Sequence, residues 1–76
     1  MNVLGYKVIL RPMERRKGYV IECPALEGCI SEGDTKDEAL KNINEAVTGY
    51  IKSLIKHHEP IPEDEETDEF ESLLLN

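Results

Sequence analysis

Residues 23–40, CPALEGCISEGDTKDEAL, decide the fold, because this stretch ends a strand, turns, re-enters a strand and starts a helix. Pro24 has no backbone N–H to give to a sheet ladder, so it stops a central strand. Gly28 and Gly33 supply backbone freedom at the two ends of the next strand. Thr35 begins the helix. Its hydroxyl can accept from the amide of Glu38 while the Glu38 carboxylate reaches back to the amide of Thr35, a reciprocal pair that precedes an apolar periodic run.

Upstream, Tyr6, Val8 and Leu10 alternate with Lys7, Ile9 and Arg11, and Tyr19, Ile21 and Cys23 alternate with Val20 and Glu22. A period of two is that of a half-buried strand. Residues 12–18 are few enough for a hairpin, and a third strand over residues 29–32 follows the loop 25–28, which completes an antiparallel meander. Downstream, Ala39, Leu40, Ile43, Ala46, Val47, Tyr50, Ile51, Leu54 and Ile55 keep the i, i+3, i+4 spacing of one helix face. Lys41, Asn42, Glu45, Lys52, Ser53 and Lys56 turn outward. The pattern predicts a helix from about residue 36 to about residue 58, ended by Pro60. Gly49 falls on its polar side, where it costs about 1 kcal/mol against Ala unless a neighbour comes close.

The fold class is therefore α+β: a three-stranded antiparallel meander (βββα) with one long helix on one face, over residues 1–62. A single helix leaves Ile9 and Val20 on the other face beside Lys7, Arg11 and Glu22, so a homodimer or homotetramer is expected. Residues 63–76 read as an acidic tail with a short apolar element. Phe70, Leu73 and Leu74 have helical spacing and Asp68 could cap them, whereas Phe70, Ser72 and Leu74 would share one side of a fourth strand; both stay open.

Charge narrows the function. The chain has 76 residues and a formal net charge of −7, which argues against a nucleic-acid binder and for a basic partner, since phosphate binding needs clustered Lys and Arg. Residues 1–17 hold five of the nine basic groups, whereas residues 59–76 hold eight acidic groups and no Lys or Arg. Arg15, Arg16 and Lys17 read as a solvated hairpin tip. Cys23 and Cys29 read as small, half-buried hydrophobes rather than a disulfide framework. Residues 1–10 are broken by Gly5, Tyr6 and Lys7 and make no signal peptide, and no apolar run reaches membrane-spanning length. A cytoplasmic, reduced protein is expected.

The spaced set Gly18-Tyr19-Val20, Pro24-x-Leu26-x-Gly28-Cys29 and Ser31-x-Gly33-Asp34-Thr35-x-x-Glu38-Ala39-Leu40 continues through Asn42, Glu45, Ala46 and Tyr50 and closes at Ile61-Pro62. It resembles the HicB-like antitoxin family. The resemblance implies a partial ribonuclease H-like domain that neutralises a small, basic, RNA-cleaving HicA-like toxin. Family members often continue into a DNA-binding domain. Here residues 63–76 contain no basic residue, so the chain is expected to lack that C-terminal domain and not to bind DNA directly.

The expected function is that of an antitoxin that occludes the toxin's RNA-binding surface. The alternative is a stand-alone homo-oligomeric domain with a regulatory or small-ligand role and no toxin. An enzyme is not expected, and no catalytic, metal-binding or cofactor-binding residue can be named. Glu22, Glu32 and Asp34 are the acids near the strands, and each has a plainer role on the solvent side or at the helix start. His57 and His58 are adjacent and point apart by about 100°. Gly33-Asp34-Thr35 is a capping turn rather than a phosphate loop. Glu22, Glu27 and Glu32, projecting from the strands and loop of the most informative segment, are the residues proposed to contact the partner.

Overall fold

A computed structural model describes residues 1–64. Its elements are β1 (Asn2–Val3), β2 (Tyr6–Lys7), β3 (Ile9–Pro12), β4 (Tyr19–Glu22), β5 (Ile30–Gly33) and α1 (Lys36–Lys56). The strands form two antiparallel sheets, a β1-β2 hairpin and a β3-β4-β5 meander. The helix lies on one face of the meander, chiefly against β5 and β4. This is the α+β architecture expected from the alternation. The strand or helix expected within residues 67–76 lies outside the described residues.

The first strand departs from expectation. The alternation from Tyr6 to Arg11 predicts one continuous strand, but the chain breaks at Val8, whose amide donates to the carbonyl of Met1 at 2.9 Å. Tyr6 and Lys7 pair instead with Val3 and Asn2. The side-chain alternation survives the break, with Tyr6 and Val8 buried and Leu10 half-buried. The hairpin turns through Leu4 at φ 51 and Gly5 at φ 86. Two left-handed residues in a two-residue turn suit Asn and Gly, and a bulky side chain there costs roughly 1–2 kcal/mol. Leu4 nevertheless stays 62% exposed.

Pro24 ends β4 as anticipated, and the loop after it is built from two successive turns. The amide of Leu26 donates to the Cys23 carbonyl and that of Cys29 to the Leu26 carbonyl, at 3.1 and 3.0 Å. Gly28 there has φ 77. Leu26 is not a loop residue in the energetic sense: at 1% exposure it plugs the core together with Val3, Tyr6, Val8, Ile21, Cys23, Cys29, Ala39, Ile43 and Val47.

Gly33 is needed for a reason other than freedom. Its φ is not left-handed, but a Cβ placed on it would stand 2.5 Å from the amide nitrogen of Ala39. The first turn of α1 therefore rests directly on the β5 backbone. Thr35 caps that turn, with its Oγ1 accepting from the Glu38 amide at 3.1 Å. The return bond differs from the expected one. The Glu38 carboxylate accepts from the amide of Asp34, at 3.4 Å, rather than from Thr35.

Along α1, Ala39, Ile43 and Val47 are fully buried and Leu40, Ala46, Tyr50 and Ile51 pack around them. The stripe fades toward the helix end, where Leu54 is half-buried and Ile55 is 58% exposed, contrary to expectation. Length explains this. Four-residue strands span about 13 Å, and a 21-residue helix spans about 32 Å, so the last turns overhang the sheet. The helix ends two residues earlier than anticipated, before Pro60 is reached. His58 turns left-handed at φ 56, and the amides of Glu59 and His58 return to the carbonyls of Leu54 and Ile55.

Asn42 does not point into solvent. It is half-buried, and its side-chain amide donates to the Glu32 carbonyl at 2.7 Å, closing part of the outer edge of β5. Pro12 lies in β3 at the opposite edge. Gly49 is exposed, and a Cβ added to it would meet nothing within 4 Å. Gly49→Ala is accordingly expected to stabilise the fold by about 1 kcal/mol, raising the melting temperature by roughly 4–8 °C. A thermal melt by circular dichroism checks this, and a lower melting temperature would refute it.

Candidate partner-binding surfaces

Among the described residues no element packs on the sheet face away from α1. Its cross-strand rows are Ile9–Glu22–Ile30 and Arg11–Val20–Glu32, so apolar and charged side chains interleave. Ile9 and Val20 are half-buried, and Ile30 is 60% exposed. Arg11 pairs with the Glu22 carboxylate at 2.5 Å, and Arg16 from the hairpin tip approaches Glu32 at 3.6 Å. The structure thus brings Glu22 and Glu32 to one face of neighbouring strands and places an intrachain cation beside each. Glu27 is set apart from them, exposed in the β4–β5 loop, with no ion pair among the described residues. Exposed pairs of this kind contribute roughly 0–1 kcal/mol, so their main effect is to offset local negative charge.

A second surface forms where the two ends of the described chain meet. Tyr6 is buried, and its Oη donates to the carbonyl of Pro62. The amide of Lys7 donates to the Asp64 carboxylate at 2.6 Å. Between these stitches runs a groove of about 450 Å³ lined by Leu4, Gly5, Tyr6, Ile61, Pro62, Glu63 and Asp64. Leu4 and Ile61 expose apolar surface there, 62% and 48% respectively. Burial raises the Tyr6 phenol pKa above its usual value, with smaller contributions from Cys23, Asp64 and Glu63, so the phenol is held as a donor. Sequence reasoning misses this surface. The available signal is Leu-Gly at a turn position that ordinarily selects Asn-Gly.

The remaining titratable groups have structural surroundings. Cys23 and Cys29 are buried free thiols. Burial raises both pKa values, and at Cys23 the backbone at Leu26 and Ala25 opposes that rise only in part. A thiol so placed is a poor nucleophile. His57 Nδ1 lies 2.8 Å from the Ser53 carbonyl at the helix end. Among the described residues no group of three or more His, Cys, Asp or Glu is placed to hold a metal ion, and no helix is long and apolar enough to cross a membrane.

A family model described as the HicB-like antitoxin of a bacterial toxin-antitoxin system matches residues 6–73. A UPF0150 protein of Synechocystis sp. is 46% identical over 64 residues, covering 84% of this chain and 80% of the relative. A UPF0150 protein of Thermoplasma acidophilum is 59% identical over 46 residues, covering 60% of this chain and 67% of the relative. An uncharacterized 14.9 kDa protein of Haemophilus phage HP1 is 40% identical over 45 residues, which are 34% of its length. No solved structure matches the chain. The match over residues 6–73 takes in the meander, the capping turn, the helix and the returning segment described above, and the chain belongs to the HicB-like antitoxin family.

Proposed function

We propose that this protein binds and neutralises a small, basic, RNA-cleaving toxin of the HicA-like kind by occluding the surface on which that toxin binds RNA. Membership of an antitoxin family over residues 6–73 carries the reading. Charge supplies an independent physical reason. A chain of net charge −7 with eight acidic groups in residues 59–76 complements a surface that attracts phosphates, and its negative potential speeds encounter with such a partner. Inhibition then requires only that the acidic protein occupy that surface. Catalysis by this chain has no part in the proposal.

Of the three acids singled out in the sequence, Glu27 is the one whose charge meets no intrachain cation among the described residues, and it is the strongest electrostatic contact in this reading. Glu22 and Glu32 act beside Arg11 and Arg16, on a face whose Ile9, Val20 and Ile30 favour self-association as a dimer or tetramer. The test is co-expression with the basic protein encoded beside this gene. Growth is expected to be restored, and the affinity of the purified pair is expected to fall as salt rises. No rescue would sink the proposal, as would an affinity indifferent to salt; a gene with no basic neighbour would point instead to a free-standing homo-oligomer.

A further inference from the structure

Leu4 and the segment 61–64 carry an inference that rests on the antitoxin reading and deepens it. Leu4 occupies a left-handed turn position at φ 51 that disfavours its branched side chain, yet it gains no burial there, being 62% exposed. Across the groove Ile61 is 48% exposed. The floor is fixed, because Tyr6 is buried and bonded to the Pro62 carbonyl. The acidic lip is fixed as well, since the Asp64 carboxylate accepts from the amide of Lys7. A shallow groove with apolar Leu4 and Ile61 at its sides, and with floor and lip held by hydrogen bonds in the folded chain, is formed before a partner side chain enters it, which spares the cost of ordering the receptor.

The charge around the slot identifies its occupant. Glu63 and Asp64 line it, and they open the run 63–66, EDEE, in a segment that contains no Lys or Arg. We propose that the Leu4–Ile61 groove receives an apolar side chain of the basic toxin, with flanking Lys or Arg of that toxin set against the acidic lip. Complementary charge disfavours a second copy of this acidic chain as the occupant.

The experiment compares full-length wild-type protein with Leu4→Asn and Ile61→Ser. Each is titrated against the purified, catalytically inactivated basic protein encoded beside this gene. Asn is at home in a left-handed turn before Gly, so Leu4→Asn is expected to melt no lower than the wild type. The same variant is expected to bind the basic protein roughly tenfold or more weakly, and Ile61→Ser to weaken binding in the same direction. A merely structural role for Leu4 cannot raise stability and lower affinity together. Wild-type binding retained in full by both variants would overturn the groove while leaving the antitoxin reading intact. Absence of binding by the wild type would overturn both. Loss of self-association of the Leu4→Asn chain in sedimentation, with toxin binding unchanged, would assign the groove to a second copy and overturn the proposal.

Discussion

Ile43→Asp is expected to unfold the protein. Ile43 is fully buried at the centre of the α1 stripe, between Ala39 and Val47. No buried polar or charged residue is present among the described residues to receive a carboxylate. Placing an unpaired charge there costs upwards of about 4 kcal/mol, against a total stability of roughly 4–11 kcal/mol for a chain of this size. Far-UV circular dichroism at neutral pH should show lost helix and no cooperative melt. Ile43→Val, which removes one methylene and no more, should cost only about 1 kcal/mol and serves as the control. Retention of wild-type helix content and melting temperature by Ile43→Asp would mean that the buried face of α1 has been misassigned.

Gly33→Ala is the second large effect, and its sign is opposite to that of the same substitution at Gly49. The added methyl at Gly33 would meet the Ala39 nitrogen at 2.5 Å, the Glu38 carbonyl carbon at 2.8 Å and the Ala39 Cα at 2.9 Å. All three are backbone atoms of the first helical turn, so no side-chain rotation relieves the contact. The helix has to lift from β5, which loosens the packing of Ala39 and draws apart the Asn42 bond to Glu32. A loss of at least about 2 kcal/mol is expected, or a fall in melting temperature of about 10 °C or more. Paired melts of Gly33→Ala and Gly49→Ala test it. Shifts of the same sign would show that close approach does not govern Gly33.

Much of this is legible in residues 18–51, where local chemistry and tertiary packing agree. The two-residue alternation implies the meander, and Thr35 with Glu38 marks the helix start. Gly33 can be recognised as necessary but not for the right reason, because a sequence shows that a side chain is missing and not what stands in its place. The N-terminal hairpin is hidden for a different cause. Leu4 is no turn former, and the break at Val8 is made by a bond to Met1 that leaves the side-chain alternation intact. Ile55 is overcounted because helical periodicity carries no information about where the supporting sheet stops. At the candidate surfaces, the spacing of Glu22, Glu27 and Glu32 suffices to turn them to solvent. Their neighbouring cations Arg11 and Arg16 depend on strand register and hairpin geometry, and the Leu4–Ile61 groove depends on contacts between distant parts of the chain.

Those long-range contacts bear on how the molecule assembles. The bonds from Tyr6 to Pro62 and from Lys7 to Asp64 close loops of 56 and 57 residues, whereas the Gly33–Ala39 approach spans a handful. Loop-closure entropy sets non-local contacts late in folding, after the hairpins and the strand–helix unit have formed. The seam then closes the fold last, and breaking its two bonds would part Leu4 from Ile61 and abolish the groove while the residues of the core stay packed. A partner seated in the groove would bind only the closed seam, so by mass action it would clasp the β1-β2 hairpin to the returning segment and add its binding free energy to the stability of that junction.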